Sequence, residues 1–549
     1  MAKTYKPSEV VDFLVIGAGA AGGVMAKELS TAGFSVVVLE QGPYLKEKDF
    51  AHDEVGYIFR NAITNDPRKQ PTTFRKTESE KARLQPAILY GRQVGGGSVH
   101  FTGNYWRFTE TDFRERSHWG GIPGAGLADW PVSYAELEPY YTKLEYEIGV
   151  SGLAGVNPFE PPRSKPYPLP PLPVKSSGVL FERAARKLGY HPFPAPMAIL
   201  SQPYRGRGTC THCGFCKSFG CEVRAKSSSL AALIPVAERS GRCEIRANSY
   251  VRRIETSNDG RVTGAVYFDA RKREILQRAK AVVVCSNGAE TPRLLLLSKS
   301  NRFPQGLANS NGQVGKHLMF DNGALTCGLF EHPLNEYKSV QVTRLIWDHY
   351  HCDPKRGFYG GGGIDARFDF TPAAFALWGG LPPEAPRWGS EWKKMMGEYF
   401  PRTMSLLSHS TCLAVEQNSI SLDPQVKDAW GLPAMRVTFK NHSDDIKTME
   451  YLRDRQMEIL DAAGARKSWA LPVEEITFSA HLMGSCRMGD DPKTSVVDRW
   501  HRAHDVPNLF LVDGSSFVTS ARQQPTCTIQ ALAFRAAEHL AGEARKGGI

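Results

Sequence analysis

Four cysteines stand within twelve residues, Cys210-Thr211-His212-Cys213-Gly214-Phe215-Cys216-Lys217-Ser218-Phe219-Gly220-Cys221, spaced C-x2-C-x2-C-x4-C. Thiolates this close on a short loop can all point inward, with Gly214 and Gly220 at the bends, and wrap a compact guest. Cys210, Cys213 and Cys216 follow the bacterial ferredoxin spacing, in which an iron–sulfur cluster takes the thiolates. Zinc is the rival, although its four-cysteine sites usually draw on two separated C-x2-C pairs. Disulfides are a third reading, but neighbours this close in sequence pair poorly. Lys217, with Arg205, Arg207 and Arg224 on the flanks, would offset the charge of four thiolates, unless these cations simply face solvent. The other seven of the eleven cysteines are scattered, many in apolar runs such as those around Cys285 and Cys412, and are expected to be small buried hydrophobes.

The second chemical signal is Gly17-Ala18-Gly19-Ala20-Ala21-Gly22. It follows an apolar run, Val11–Ile16, that reads as a buried strand; a helical pattern from Gly23 to Ala32 and a second apolar run, Phe34–Leu39, come after it. Glu40 closes the unit. Strand, G-x-G-x-x-G, helix, strand and acid form the dinucleotide-binding βαβ unit, in which backbone amides approach a pyrophosphate and the acid takes a ribose hydroxyl. The acid argues against a 2′-phosphate, so FAD and NAD both remain open from this stretch alone.

Further elements of the same texture recur along the chain. Tyr90–His100 carries Gly95, Gly96 and Gly97 before Ser98 and His100, a stretch whose backbone could lie flat against a flavin. Glu244–Thr256 reads as a strand, Arg261–Asp269 and Glu274–Arg278 as a hairpin, and Ala281–Cys285 as another buried strand leading into Asn287–Pro292. Leu509–Val512 is a strand ending on Asp513-Gly514, and Gln523–Thr526 opens a long C-terminal helix. Between these lies a different texture. Ser339–Ile346, Thr403–Ala414 and Ala434–Phe439 alternate like antiparallel strands, with helices near Ser390–Tyr399 and Asp444–Ala463. The charged stretch before residue 88 is expected to be loop and helix, the proline-rich run from Asn157 to Val174 an extended connector, and Gly360–Gly363 a flexible loop.

The whole chain bounds these readings. Its 549 residues exceed one ordinary domain, and 41% hydrophobic with 23% charged residues is a globular composition. The net charge of +11 is spread without a basic block, so nucleic acid is not an expected partner. No run of 18 apolar residues is present, so no transmembrane segment is expected. Met1–Pro7 has neither an apolar core nor twin arginines, so no export signal is expected either.

Taken together, these motifs resemble the glucose–methanol–choline (GMC) oxidoreductases, which are FAD enzymes. The resemblance runs from residue 12 to residue 540, on Gly17–Gly22 with Glu40, Gly91–His100, Asn287–Leu296, Val314–Leu318, Ser479–Gly489, Asp513-Gly514 and Pro525-Thr526. It implies an α/β fold: a Rossmann-type FAD-binding domain from discontinuous segments, 1–320 and 471–549, with a β-sheet substrate-binding domain at 321–470 and the cysteine loop at 205–226. It implies cofactor contacts from Gly17, Gly19, Gly22, Glu40, Gly95, Gly96, Ser98, His100, Val251, Asp513, Gly514 and Thr526. The family's catalytic pair is a histidine with a second histidine or asparagine, and the matching positions are His481 and Gln524. Gln524 is a departure, one methylene longer than asparagine but still able to bind an alcohol oxygen. His100 sits where relatives with covalently attached flavin carry the linking histidine, while other relatives keep the histidine without the bond.

Within the family the cysteine loop looks like that of iron–sulfur sugar dehydrogenase catalytic subunits: glucose, fructose and gluconate dehydrogenases and glucoside 3-dehydrogenases. The resemblance implies oxidation of a sugar or glycoside hydroxyl, at C3 of glucosides in preference to aldose C1, gluconate or a polyol. A GMC alcohol oxidase with a structural metal loop is the other reading. In the dehydrogenase reading electrons leave through a 4Fe–4S cluster on Cys210, Cys213, Cys216 and Cys221, or a 3Fe–4S cluster with one thiol spare, to a cytochrome c. Such subunits often travel with a small signal-bearing partner, which places the enzyme in the periplasm or on the membrane, with the cytoplasm as the alternative.

Overall fold

The computed structural model describes residues 3–549. Its framework is a parallel sheet in the order Cys243–Arg246, β2 (Val36–Leu39), β1 (Val11–Ile16), Glu274–Val284, with Leu509–Leu511 outermost. These strands are covered on both faces, which is why β1 and β2 are continuous apolar runs rather than alternating ones. The helix α1 (Ala20–Thr31) follows β1 and packs against the long C-terminal helix Thr526–Arg545. Two glycines make the turn into α1. Gly17 has φ +98° and passes so close under the neighbouring strand that a Cβ there would meet Cys285 O at 2.5 Å. A Cβ on Gly22 would fall 1.9 Å from Gly17 O, so the first turn of α1 closes only on glycine.

The Glu274–Val284 strand belongs to two layers. Its first half pairs antiparallel with Val262–Phe268, and that strand with Tyr250–Thr256; its second half pairs parallel with β1. The two segments read separately at 274–278 and 281–285 are thus one strand. Conversely, the strand expected over 244–256 is two, because Asn248 takes φ 54° between Cys243–Arg246 and Tyr250–Thr256 and sends them to different partners.

A second, antiparallel sheet has the order Lys467–Ala470, Leu325–Leu329, Thr403–Ser410, Gly362–Arg367, Val342–Ile346, Phe193–Pro194. The period of two sorts its side chains. Ile364, Ala366, Met404 and Leu406 pack beneath the helices Ser176–Lys187 and Ser443–Ala462, while Arg367, Leu407 and His409 face the other way, into the cavity described below. Gly360–Gly363 is not a loop over the surface. Gly362 begins a buried strand, and Gly361 lies so tightly on the chain that a Cβ would sit 2.2 Å from Tyr350 O. The stretch before residue 88 also differs from expectation. Thr72–Arg75 pairs parallel with Pro433–Thr438 and antiparallel with Arg83–Leu84, in a small third sheet completed by Ser419–Lys427. Thr72, Thr73 and Phe74 are all buried in that sheet, which no local pattern announces.

Candidate active site

Between the carboxyl ends of the parallel strands and the inner face of the second sheet lies a cavity of about 440 Å³. That is where an open α/β sheet places its ligand. Gly17, Gly19, Glu40, Gly96, Ser98, His100, Val251, Asp513, Gly514, Gln524, Thr526 and His481 all line it. Gly22 and Gly95 do not. Gly22 is used up in the contact with Gly17 O, and Gly95 donates its amide to Ala18 O at 2.8 Å, holding the second glycine loop against the first.

Glu40 is buried, and its carboxylate accepts the amides of Ala18 at 3.0 Å and Gly42 at 2.8 Å. Burial outweighs those two bonds and pushes its pKa up to about 7. Asp513 is clamped by Thr291 Oγ1 at 2.6 Å and the Ser515 amide at 2.8 Å, and burial raises it too. His100 is buried with Nε2 unpartnered; burial first, and then the Lys226 charge, push its pKa down to about 4, so it is a neutral imidazole at neutral pH. Buried polar atoms without partners accumulate along this wall. Both side-chain atoms of Gln524 and both of Asn104 have none, as expected of groups that await a ligand. A long cavity walled by close-packed glycine backbone, a buried acid and such atoms fits a flavin dinucleotide.

The cysteine loop forms part of the same cavity. Lys217 and Ser218, directly after Cys216, line it, and the Ser218 amide donates to His100 O at 2.7 Å. Lys226, itself buried, donates to Phe101 O at 3.0 Å, Cys216 O at 2.6 Å and Phe219 O at 2.8 Å, tying the two loops together. Cys216 is buried, Cys210 and Cys221 are half-buried and Cys213 is exposed. Burial pushes the Cys210 thiol up to about 11 and Cys216 to about 12, so each needs a bound cation to become a thiolate. Among the described residues no three of these sulfurs come within 4.8 Å of one another. The seven scattered cysteines are all buried, as their apolar surroundings suggest.

Sequence reasoning missed Asp321, His409 and Arg367. Asp321 Oδ2 lies 2.7 Å from His481 Nδ1 and bonds His409 Nδ1; Arg367 Nη2 lies 3.1 Å from His409 Nε2. The His481 contact is close but oblique, without full hydrogen-bond alignment. Burial would raise Asp321, but the two imidazoles outweigh it and hold the carboxyl well below the usual range. The available signal was period-two: His409 and Arg367 are polar residues on the inward rows of alternating strands.

Comparison with known proteins agrees with this architecture. Family models described as GMC oxidoreductase match residues 11–321 and 414–533. The chain is 35% identical to a 2-methyl-1,2-propanediol dehydrogenase of Mycolicibacterium austroafricanum, covering 97% of this chain and 95% of that protein. It is 31% identical to the gluconate 2-dehydrogenase flavoprotein of Pantoea cypripedii, with 96% and 93% covered. It is 30% identical to the fructose dehydrogenase large subunit of Gluconobacter japonicus, with 98% of each covered. Among solved structures, formate oxidase of Aspergillus oryzae shares the fold with TM-score 0.68 at 14% identity, over 99% of this chain and 100% of that one. Among the described residues no helix is long and apolar enough to cross a membrane.

Proposed function

The chain belongs to the GMC oxidoreductase family, and on that premise we propose that it is a dehydrogenase oxidising one hydroxyl of a sugar or glycoside and passing the electrons to a protein acceptor. It is an FAD-dependent enzyme of the class acting on CH–OH donors. When bound, FAD supplies the hydride acceptor. Gly17, Gly19, Glu40, Gly96, Ser98, Val251, Asp513, Gly514 and Thr526 would hold it. His481 takes the hydroxyl proton at Nε2, and the unpartnered amide of Gln524 holds the alcohol oxygen. Lys217, Arg367, Asp369, Asn104 and Gln524 make the wall polar, which suits a ring with several hydroxyls. C3 of a glucoside is the carbon we favour; the likeness to a diol dehydrogenase favours a polyol as the second reading.

One observation carries the dehydrogenase reading: the residues following Cys216 are themselves part of the cavity wall. Cys210, Cys213, Cys216 and Cys221 would hold an iron–sulfur cluster, 4Fe–4S by the completeness of the set, which would supply a one-electron exit. Partners would then be a cytochrome c and a small signal-bearing subunit, with the enzyme working in the periplasm. The name of the Gluconobacter relative, a large subunit, supports such an assembly.

The test is anaerobic addition of methyl glucosides, aldoses, gluconate and polyols to the purified protein, following flavin bleaching, with iron and sulfide analysis. Bleaching by a glycoside with iron present supports the proposal. With Cys213→Ser the flavin should still bleach while turnover with cytochrome c disappears. Zinc in place of iron, or rapid reoxidation by oxygen, moves the protein to the oxidase reading.

A further inference from the structure

His481 is one member of a buried charged chain. His409 bonds Asp321 through Nδ1 and meets the Arg367 guanidinium at Nε2. A guanidinium only donates, so His409 Nε2 accepts and the ring proton sits on Nδ1, facing Asp321. His409 therefore has no free lone pair and cannot be the base. Arg367 is fixed in turn by Asp365, bidentate at 2.8 and 2.7 Å, and by Asp369 at 3.5 Å. Lys217 of the cysteine loop closes the chain at 3.2 Å from Asp369. Each of these side chains is anchored by the next, and the free end is His481.

The charges of the chain are equally directed. Asp321, Asp365 and Asp369 stand against Arg367 and Lys217, which leaves one negative charge over when both imidazoles are neutral. Cys412, which also faces Asp321, is a buried thiol pushed well above its ordinary range by burial and adds no charge. The cluster is thus one positive charge short. An imidazolium at His481 supplies it. With Nδ1 at 2.7 Å from Asp321, Nε2 is the ring nitrogen left for a substrate in the cavity that His481 lines.

We propose that Asp321 is the positioning residue of the reaction: clamped by His409 and Arg367, it fixes the His481 tautomer and balances the imidazolium formed when the substrate proton arrives. In that step the alcohol O–H bond breaks toward His481 Nε2, and a bound FAD would accept the hydride from the carbon, leaving a carbonyl. The inference rests on His481 as the base, and it sets behind the pair at 481 and 524 three residues, Asp321, His409 and Arg367, from three further segments of the chain.

Two readouts test it, one independent of any substrate. In protein labelled with ¹⁵N-histidine, the His481 signals, assigned through His481→Gln, should report an Nδ1–H tautomer in the wild type and lose that preference in Asp321→Asn. Stopped-flow bleaching per bound FAD should slow about 10²-fold in Asp321→Asn, the lower end of what a positioned base contributes. Asp321→Glu should restore part of both. If Asp321→Asn does not fold, His409→Gln, which removes the outer clamp, should show the same loss of tautomer preference. An unchanged tautomer, or bleaching within threefold of wild type, overturns the proposal. If the tautomer depends on Asp321 but no alcohol bleaches the wild type, the positioning stands and the functional reading above fails instead.

Discussion

The two walls of the cavity are built on opposite principles. The wall around Gly17, Gly19 and Gly96 is mostly backbone, held by contacts so close that side chains are excluded. The wall around His481, His409, Arg367 and Lys217 is made of charged side chains, each oriented by the next. The first recognises what dinucleotides have in common and needs shape. On the proposed function the second would face the alcohol, where charge is needed in one arrangement, while the first wall would bring the flavin to it. Changes in the two walls should therefore fail differently: one in cofactor retention and folding, the other in rate with the flavin still in place.

The largest expected effect is on the charged wall. His481→Ala should leave FAD bound and slow flavin reduction by roughly 10²–10⁴, the usual contribution of a positioned base. Anaerobic stopped-flow on the variant decides it. Near-normal reduction would move the base elsewhere, and loss of FAD along with rate would erase the contrast between the walls.

The contrast also explains what was readable from sequence. The glycine wall is encoded locally: strand, turn, helix and acid fall within thirty residues, Val11–Glu40, and each follows from short-range sterics. Even there the reading overreached, because Gly22 and Gly95 serve chain-to-chain contacts rather than the cavity. The charged wall is encoded at a distance. Asp321 ends an apolar run, Arg367 and His409 lie on two strands paired by register, and His481 comes from the tail. Nothing in the spacing of those four residues signals that they meet. Their pairing depends on sheet register, which one sequence fixes only through the folded core. The third sheet was hidden for the same reason, since Thr72–Arg75 becomes a strand only against Pro433–Thr438.

A smaller effect is expected on the glycine wall. A Cβ at Gly22 would stand 1.9 Å from Gly17 O, a contact between backbone atoms that no rotamer relieves. Gly22→Ala should cost about 3 kcal/mol, the upper part of the usual overpacking range, and yield protein depleted in FAD. The FAD that remains should be reduced at a rate close to wild type, because the charged wall is untouched. Denaturant unfolding and FAD content check the first claim, and stopped-flow on the residual holoprotein checks the second. A slow holoprotein would mean that the walls are coupled.

The smallest effect belongs to His100, which stands between them. An unfolded chain binds a proton at histidine near pH 6.5, whereas burial and Lys226 hold His100 to about 4. Between these values the unfolded state binds more protons, so stability falls as pH falls through that window; above it, neither state is protonated and nothing changes. His100→Gln keeps the size of the ring's polar reach and removes the titration. The stability difference between wild type and variant should therefore shift by about 1–2 kcal/mol in the variant's favour between pH 7.5 and pH 5. His317, His349, His351 and His501 are likewise lowered by burial, but they are present in both proteins and cancel. Urea unfolding at the two pH values measures the shift, and the flavin left on acid-precipitated protein shows in the same samples whether His100 carries it covalently. A pH-independent difference would mean that His100 binds its proton equally well in the folded and unfolded states, and that the packing of the two walls does not hold it neutral.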